Sequence, residues 1–383
     1  MLYTIISFFL CAVYIVLMGL YRYGFTIEKR KPFTNAFSEH KPTFSIIIPA
    51  RDEAGNIAAC LQSILRNTYD ADRFEIILID DFSTDETVSI AQKILSAPHR
   101  ILQLKDYLSP EETLNAYKKK ALEIAIGMAN GSYILTTDAD CILPPNWLAL
   151  YAQQLEDPAI HFIAAPVSFT PFDHHRSWLY YFQSLDFMTM QGITIASNRL
   201  GLGNMCNGAN MLFSKVAFDA VEGYKGIDHK ASGDDMMLMQ KINMRFPGSI
   251  RFLFSQEAIV ETPVQPTLKH FINQRIRWAS KADSYPQFKM TLILLAVYLF
   301  NVNLLFLTIV SLCIPAYCAV LLLCLSIKIV AELYFLYPVS RFFHKANELL
   351  FFIFLQPLHI LYIIIAGFLG KFGKYSWKGR IVK

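Results

Sequence analysis

Charge is scarce in this chain. Of its 383 residues only 17% are charged, while 54% are hydrophobic. Mean hydropathy is positive. A soluble globular chain carries more charge, so these values point to membrane segments. The formal net charge is only +4. No long run of Lys or Arg is present, which removes the electrostatic footprint of a nucleic-acid binder, and no nucleic acid is expected as a partner. No internal repeat or low-complexity tract occurs. The seven cysteines form no CxxC pair and no Cys/His spacing suited to zinc. Cys11, Cys313, Cys318 and Cys324 lie in apolar runs and read as reduced, buried thiols, which fits a catalytic domain in a reducing cytosol.

Charge is absent altogether from Met1 to Tyr21. A run of about 20 apolar residues spans a bilayer as a helix. This one lacks a basic n-region and an Ala-x-Ala exit, so residues 1–22 read as a retained anchor, not a cleaved signal. Arg22, Lys29, Arg30 and Lys31 follow. By the positive-inside rule the next segment is cytoplasmic, in an integral protein of the cell (inner) membrane.

From Thr43 the composition is that of a globular domain, assigned to residues 42–265. Apolar strand runs cover Phe44 to Ile48, Phe74 to Ile79 and Tyr133 to Thr137. Helical spacing covers Asn56 to Leu65, Thr87 to Leu95 and Tyr117 to Met128. This alternation predicts an α/β fold built from βαβ units around a parallel sheet. In such sheets ligands bind beyond the carboxyl ends of the strands, and here acidic clusters stand at those ends.

Two later helices are harder to place. Ser177 to Asn198 is rich in aromatics and Met. It reads equally as a helix pressed against membrane or acceptor and as an ordinary core helix. Thr267 to Ala279 is basic and amphipathic, in an interface region of residues 266–288. Residues 289–370 are mostly apolar. Thr291 to Tyr337 predicts two spanning helices with a turn near Ser311 to Pro315. Lys328 and Glu332, four apart, are expected to pair. Leu349 to Leu369 is a third run, interrupted by Pro357. The tail, residues 371–383, carries Lys371, Lys374, Lys378, Arg380 and Lys383 and no acid. One crossing before the domain and three after it would put this basic tail outside, against the positive-inside rule. The third run is therefore the expected exception, as a re-entrant or in-plane helix.

Asp138-Ala139-Asp140 follows an apolar strand. On a turn both carboxylates reach one cation, and hard oxygens suit Mg²⁺ or Mn²⁺ shared with a diphosphate. Asp80-Asp81 ends an earlier strand; Ser83, Thr84 or Asp85 is suited to cap the next helix while Asp80 or Asp81 meets nucleotide. Pro49-Ala-Arg-Asp-Glu53 ends the first strand and faces base and ribose. Gly233-Asp234-Asp235 opens a helix. It reads as an acidic N-terminal turn or as the general base for an acceptor hydroxyl. Gln274, Arg277 and Trp278 share a helix face, suited to diphosphate and a sugar ring or to a membrane interface.

PARDE, LIDDFSTDET, LTTDAD, NGANMLF, SGDDMML and QRIRW follow one another from Pro49 to Trp278. In this order the set resembles the membrane-integrated branch of glycosyltransferase family 2, which includes ceramide glucosyltransferases and processive cellulose, chitin and hyaluronan synthases. The resemblance implies a GT-A fold, Rossmann-like, with one N-terminal and two to three C-terminal transmembrane helices. It implies a nucleotide-sugar donor, with a UDP-sugar expected, and Mg²⁺ or Mn²⁺ as cofactor. By matching motif, Glu53 and Asp81 would serve the nucleoside; Pro49 and Asp80 beside them are further candidates for the donor site. Asp138 and Asp140 would serve metal and diphosphate. Asp235 would be the base beside Asp234, and Gln274, Arg277 and Trp278 would serve acceptor and diphosphate. The family inverts the anomeric centre in one displacement. Two departures stand out: Phe82 where Gly is usual, and Asp234 where Glu is usual. The tail Trp377-Lys-Gly-Arg380 is similar to that of ceramide-type enzymes, which place it on the catalytic side. Large polymer synthases use more membrane helices, so a lipid or lipid-linked acceptor in envelope biogenesis is the expectation. A processive synthase and an inactive nucleotide-binding scaffold remain as alternatives.

Overall fold

The computed structural model describes residues 2–29, 41–109, 114–203, 205–228, 232–280, 288–372, 375–377 and 380–382, with side chains described as far as Lys371 except at His174 and Phe288. Arg30, Lys31, Lys374, Lys378 and Lys383 lie outside the described residues. The chain opens with α1 (Leu2–Lys29). The α/β part follows as β1 (Phe44–Ala50), α2 (Ile57–Leu65), β2 (Phe74–Asp80), α3 (Thr87–Ile94), β3 (Arg100–Gln103), α4 (Tyr117–Gly127), β4 (Tyr133–Thr136) and α5 (Trp147–Gln154). Next come β5 (Phe162–Ala164), β6 (Val167–Thr170), α6 (Trp178–Leu200), β7 (Met211–Ser214), α7 (Lys215–Ala220), α8 (Asp234–Arg245), β8 (Ile250–Phe252), β9 (Val260–Pro263) and α9 (Leu268–Ala279). The last elements are α10 (Phe288–Cys313), α11 (Cys318–Phe342), α12 (Phe352–Phe372), β10 (Tyr375–Trp377) and β11 (Arg380–Val382).

Seven strands form one sheet in the order β3-β2-β1-β4-β7-β5-β8. The first four run parallel, and β7 is antiparallel to both its neighbours. This is a GT-A type sheet with a mostly parallel core. Successive side chains of a strand point to opposite faces, and here both faces are covered. Ile46 and Ile48 of β1 pack with α2 and α5 on one face; Ile47 packs with α4 on the other. That second face is continuous with the apolar helices, since Tyr14, Phe300 and Phe335 belong to the same cluster.

Asn210 pins the sheet from within. Its amide nitrogen donates to Pro166 O and Ala258 O at 2.7 and 2.9 Å. Its Oδ1 accepts from Trp147 Nε1 and the Tyr151 hydroxyl at 2.8 and 2.9 Å. All four bonds of a buried amide are therefore made.

Four helices are long and apolar enough to cross a membrane. Aromatic contacts align three of them. Tyr3 lies 5.1 Å from Phe306 and 5.9 Å from Tyr317, in the turn between α10 and α11. Tyr14 meets Phe300, Tyr21 meets Phe335, and Phe25 meets both Phe342 and Phe254 of the α/β domain. So α1, α10 and α11 run side by side away from the domain. The expected Lys328–Glu332 pair is present at 2.6 Å, with Gln356 bonded to both residues and the Tyr14 hydroxyl bonded to Glu332.

The fourth helix behaves differently. Phe351, just before α12, stacks on Tyr181 of α6 at 3.9 Å. Tyr362, in mid-helix, meets Phe182 and Phe271. Near its end Gly370 lies against Ala279 of α9, where an added Cβ would come within 2.4 Å of the alanine Cβ. Helix α12 thus starts and ends against the α/β domain. It runs through Pro357 without stopping, and β10 follows beside α9. The aromatic helix of ambiguous reading, α6, packs on α1, α11 and α12.

Candidate active site

Three parallel strands deliver acidic side chains to one edge. β1 ends at Pro49-Ala50, β2 at Asp80, and β4 leads into Asp138. Register fixes them as neighbours: Ala50 is opposite Asp80, and Asp81 N donates to Ala50 O at 2.8 Å. Beyond that edge lies a cavity of about 640 Å³. Pro49, Glu53, Asp81, Asp138, Asp140, Asp234, Asp235, Gln274, Arg277 and Trp278 all line it.

Asp80 is the one named site residue that does not line it. This carboxylate is buried and accepts from Ser83 N at 3.2–3.3 Å, closing the turn after β2. Phe82 sits in that turn at φ 58. The left-handed backbone that a glycine takes easily is kept here with a side chain, a strained choice. The ring turns to Tyr117, 6.1 Å away edge to face, and is not among the cavity-lining residues. Hence the departure from Gly leaves the pocket wall intact.

The loops after β1 and β2 are laced together. Asp52 accepts from Thr84 N at 2.7 Å, Ala54 N donates to Asp85 at 3.0 Å, and Glu53 N donates to Thr87 Oγ1 at 2.8 Å. Arg51 donates to Asp81 O at 2.9 Å. The N-cap of α3 is Glu86 without a side-chain cap bond. Ser83 and Thr84 are spent on the lacing, while Asp85 also accepts from Thr87 N, the first residue of α3, at 3.0 Å.

Asp138 and Asp140 flank a tight turn closed by Cys141 N on Asp138 O at 3.1 Å. Burial, with Asp140 and Asp138 nearby, pushes the Cys60 and Cys141 thiols up, so both stay neutral beside the carboxylates. Lys118 of α4 reaches Asp138 Oδ1 at 2.8 Å and Asp234 Oδ2 at 3.7 Å. Burial alone would lower its pKa; the two carboxylates outweigh that and raise it, holding the ammonium charged. Lys118 was not singled out in the sequence, although three lysines in a row on an apolar helix were a visible oddity. Lys119 donates to Ile227 O and Ser232 O and so ties down the segment before Gly233.

At Gly233, φ is +82, a turn that glycine allows. It starts α8, with Asp234 and Asp235 in the first turn. Asp235 accepts from Met236 N at 2.8 Å and from Gly208 N at 3.3 Å. Gly208 in turn is held by Thr136 of β4, whose hydroxyl donates to Gly208 O at 2.7 Å. The Asn207-Gly208-Ala209 stretch therefore lines the cavity and sets the candidate base. On α9, capped by Thr267, the shared face of Gln274, Arg277 and Trp278 points into the cavity.

Two hard carboxylates, Asp138 and Asp140, suit a divalent cation. Among the described residues no group of three or more His, Cys, Asp or Glu side chains forms a closed cage. A cation here would complete its shell with diphosphate oxygens and water, a common arrangement for Mg²⁺.

Residues 45–221 match the model of "Glycosyl transferase family 2". An N-acetylglucosaminyltransferase of Rhizobium meliloti is 23% identical over 246 residues, 62% of this chain and 55% of that protein. Glycosyltransferase AglE of Haloferax volcanii is 27% identical over 129 residues, 34% of this chain and 40% of that protein. The chain thus spans about half, or less, of these curated relatives. Among solved structures, a mannosyltransferase of Pyrobaculum calidifontis, in complex with GDP-Man and Mn²⁺, superposes with a TM-score of 0.59 at 19% identity. That superposition covers 96% of this chain and 98% of the other. At that identity the likeness speaks for the fold.

Proposed function

From the premise that residues 45–221 place the chain in glycosyltransferase family 2, we propose that it moves a sugar from a nucleotide-sugar donor to a membrane lipid or lipid-linked glycan, with inversion. The observation that carries this is one cavity holding Asp138, Asp140, Asp235, Arg277 and Trp278 at the carboxyl edge of β1, β2 and β4. Glu53 and Asp81 face the nucleoside. Lys118 and Arg277 face the diphosphate as charge builds on it in the transition state. Mg²⁺ or Mn²⁺ at Asp138 and Asp140 would supply further positive charge there. Asp235 takes the proton from the acceptor hydroxyl while that oxygen bonds to the anomeric carbon. The bond from that carbon to the diphosphate oxygen breaks, and the nucleoside diphosphate leaves with the electron pair. Trp278 offers its flat ring to the acceptor sugar or headgroup.

A lipid acceptor suits the rest of the molecule. The cavity wall is α9, and α9 rests on the apolar helix α12. Phe300, Leu304, Leu307, Cys324 and Lys328 are buried in the helical bundle, so its interior is filled, unlike a polymer channel. In this reading α1, α10 and α11 cross the membrane of the cell and α12 stays at the cytoplasmic side with the catalytic domain.

The test is Asp235→Asn in purified full-length protein. A general base contributes about 10²–10⁴-fold, so kcat is expected to fall by that range with donor affinity kept. Transfer at the wild-type rate would remove Asp235 from the role.

A further inference from the structure

Arg275 lies between Gln274 and Arg277 in sequence but does not line the cavity. Its side chain leaves α9 on the other side and is 2% exposed. A guanidinium so buried requires a counter-charge. Asp186 of α6 supplies it, with Nη2 and Oδ2 2.8 Å apart. His359 of α12 approaches the second oxygen of the same carboxylate, its Nε2 3.9 Å from Oδ1. Phe271 and Phe169 flank the guanidinium at 4.8 and 5.9 Å.

Tyr362 of α12 also bonds to Arg275, and two further contacts go to the cavity wall. Nη1 donates to Gln274 Oε1 at 3.3 Å. The guanidinium carbon lies 4.1 Å over the Trp278 ring. A flat guanidinium can pair with a carboxylate, donate to an amide and stack on an indole at once; an ammonium cannot stack in this way. Helices α6, α9 and α12 thus meet around one buried charge pair, and two cavity side chains lie against its guanidinium.

We propose that Arg275, held by Asp186, is a positioning residue that sets Trp278 and Gln274 for the acceptor. The proposal rests on the reading that those two side chains meet the acceptor. Arg275 itself touches no reacting atom.

The experiment uses the full-length chain in detergent, the labelled nucleotide-sugar that the wild type turns over, and a total membrane lipid extract as acceptor. Arg275→Lys keeps the cation for Asp186 and removes the flat ring contact. It is expected to raise the apparent KM for lipid extract about tenfold and to leave the donor KM within about twofold. In a Trp278→Ala background the same change should add less than about twofold, because the ring contact that a lysine cannot make is already gone. A merely structural role would lower kcat through the active fraction, leave both KM values in place and multiply with Trp278→Ala. That result, or wild-type kinetics for Arg275→Lys, would overturn the proposal. Should Arg275→Lys not accumulate, Asp186→Asn keeps the side-chain volume and is expected to show the same KM split. Wild-type KM values in that variant would equally overturn it. If Trp278→Ala leaves the lipid KM unchanged, the acceptor reading itself fails. If Trp278→Ala impairs it and Arg275→Lys does not, only the present inference fails.

Discussion

Three consecutive lysines show how little a residue type says before its neighbours are known. Lys118 faces Asp138 and Asp234 in the cavity. Lys119 is buried on backbone carbonyls of the segment before the candidate base. Lys120 makes a surface pair with Glu123 at 3.6 Å, the kind worth little. Lys118→Ala should therefore cost about 1.5–3 kcal/mol of donor binding, a ten- to hundredfold rise in donor Kd measured by titration calorimetry. Unchanged donor Kd would remove Lys118 from the diphosphate. Asn210 makes the opposite kind of prediction. Asn210→Leu strands two carbonyls, an indole N–H and a phenol, and should lower stability by at least about 3 kcal/mol in denaturant unfolding. A loss below 1 kcal/mol, about the net worth of one hydrogen bond, would mean that the four bonds are replaceable. Glu53, Asp81, Asp138 and Asp140 stood out in sequence after apolar strands, and Asp234 and Asp235 at a helix start; all six line the cavity. Lys118 and Arg275 did not stand out, since their roles come from side chains that are distant in sequence, Asp234 and Asp186 among them.

At the scale of elements, β1, β2 and β4 and the helices between them were readable from apolar runs and turn residues, whereas the short, half-buried β3 was not. The helix boundaries agree within about a residue or two, the usual margin for helix ends. The antiparallel β7 was not readable, because a short buried run looks alike in either direction. Sequence left open which of Asp80 and Asp81 meets nucleotide, and the structure separates them: Asp80 closes a turn and Asp81 lines the cavity. Helix α12 was expected to be re-entrant from the charge of the tail and from Pro357, and it is as long and apolar as the other three. Gly370 permits the close approach to Ala279 that brings its end back to the catalytic domain. Gly370→Val should overpack that contact, at a cost of about 1–3 kcal/mol, read as a lower Tm in detergent. Adding Ala279→Gly should recover part of the loss. An unchanged Tm for Gly370→Val would show that the two helices do not need this contact.

For the whole molecule, helices long and apolar enough to cross a membrane were plain from composition, whereas the side on which the tail lies depends on one helix. Helix α12 packs on α10 as well as on α9 of the α/β domain. A cysteine introduced at Lys383, in a variant lacking the accessible native thiols, should label from the same side as one at Lys120 in sealed vesicles. Labelling from opposite sides would mean that α12 crosses. The central claim concerns transfer itself, and product analysis reaches it most directly. Membranes containing the wild type or Asp235→Asn are incubated with a panel of labelled nucleotide-sugars and Mn²⁺ or Mg²⁺, and extracted lipids are read by mass spectrometry. The expected result is a lipid heavier by one sugar with the wild type and none with Asp235→Asn. Long polymer, no transfer from any donor, or equal product from both proteins would contradict it.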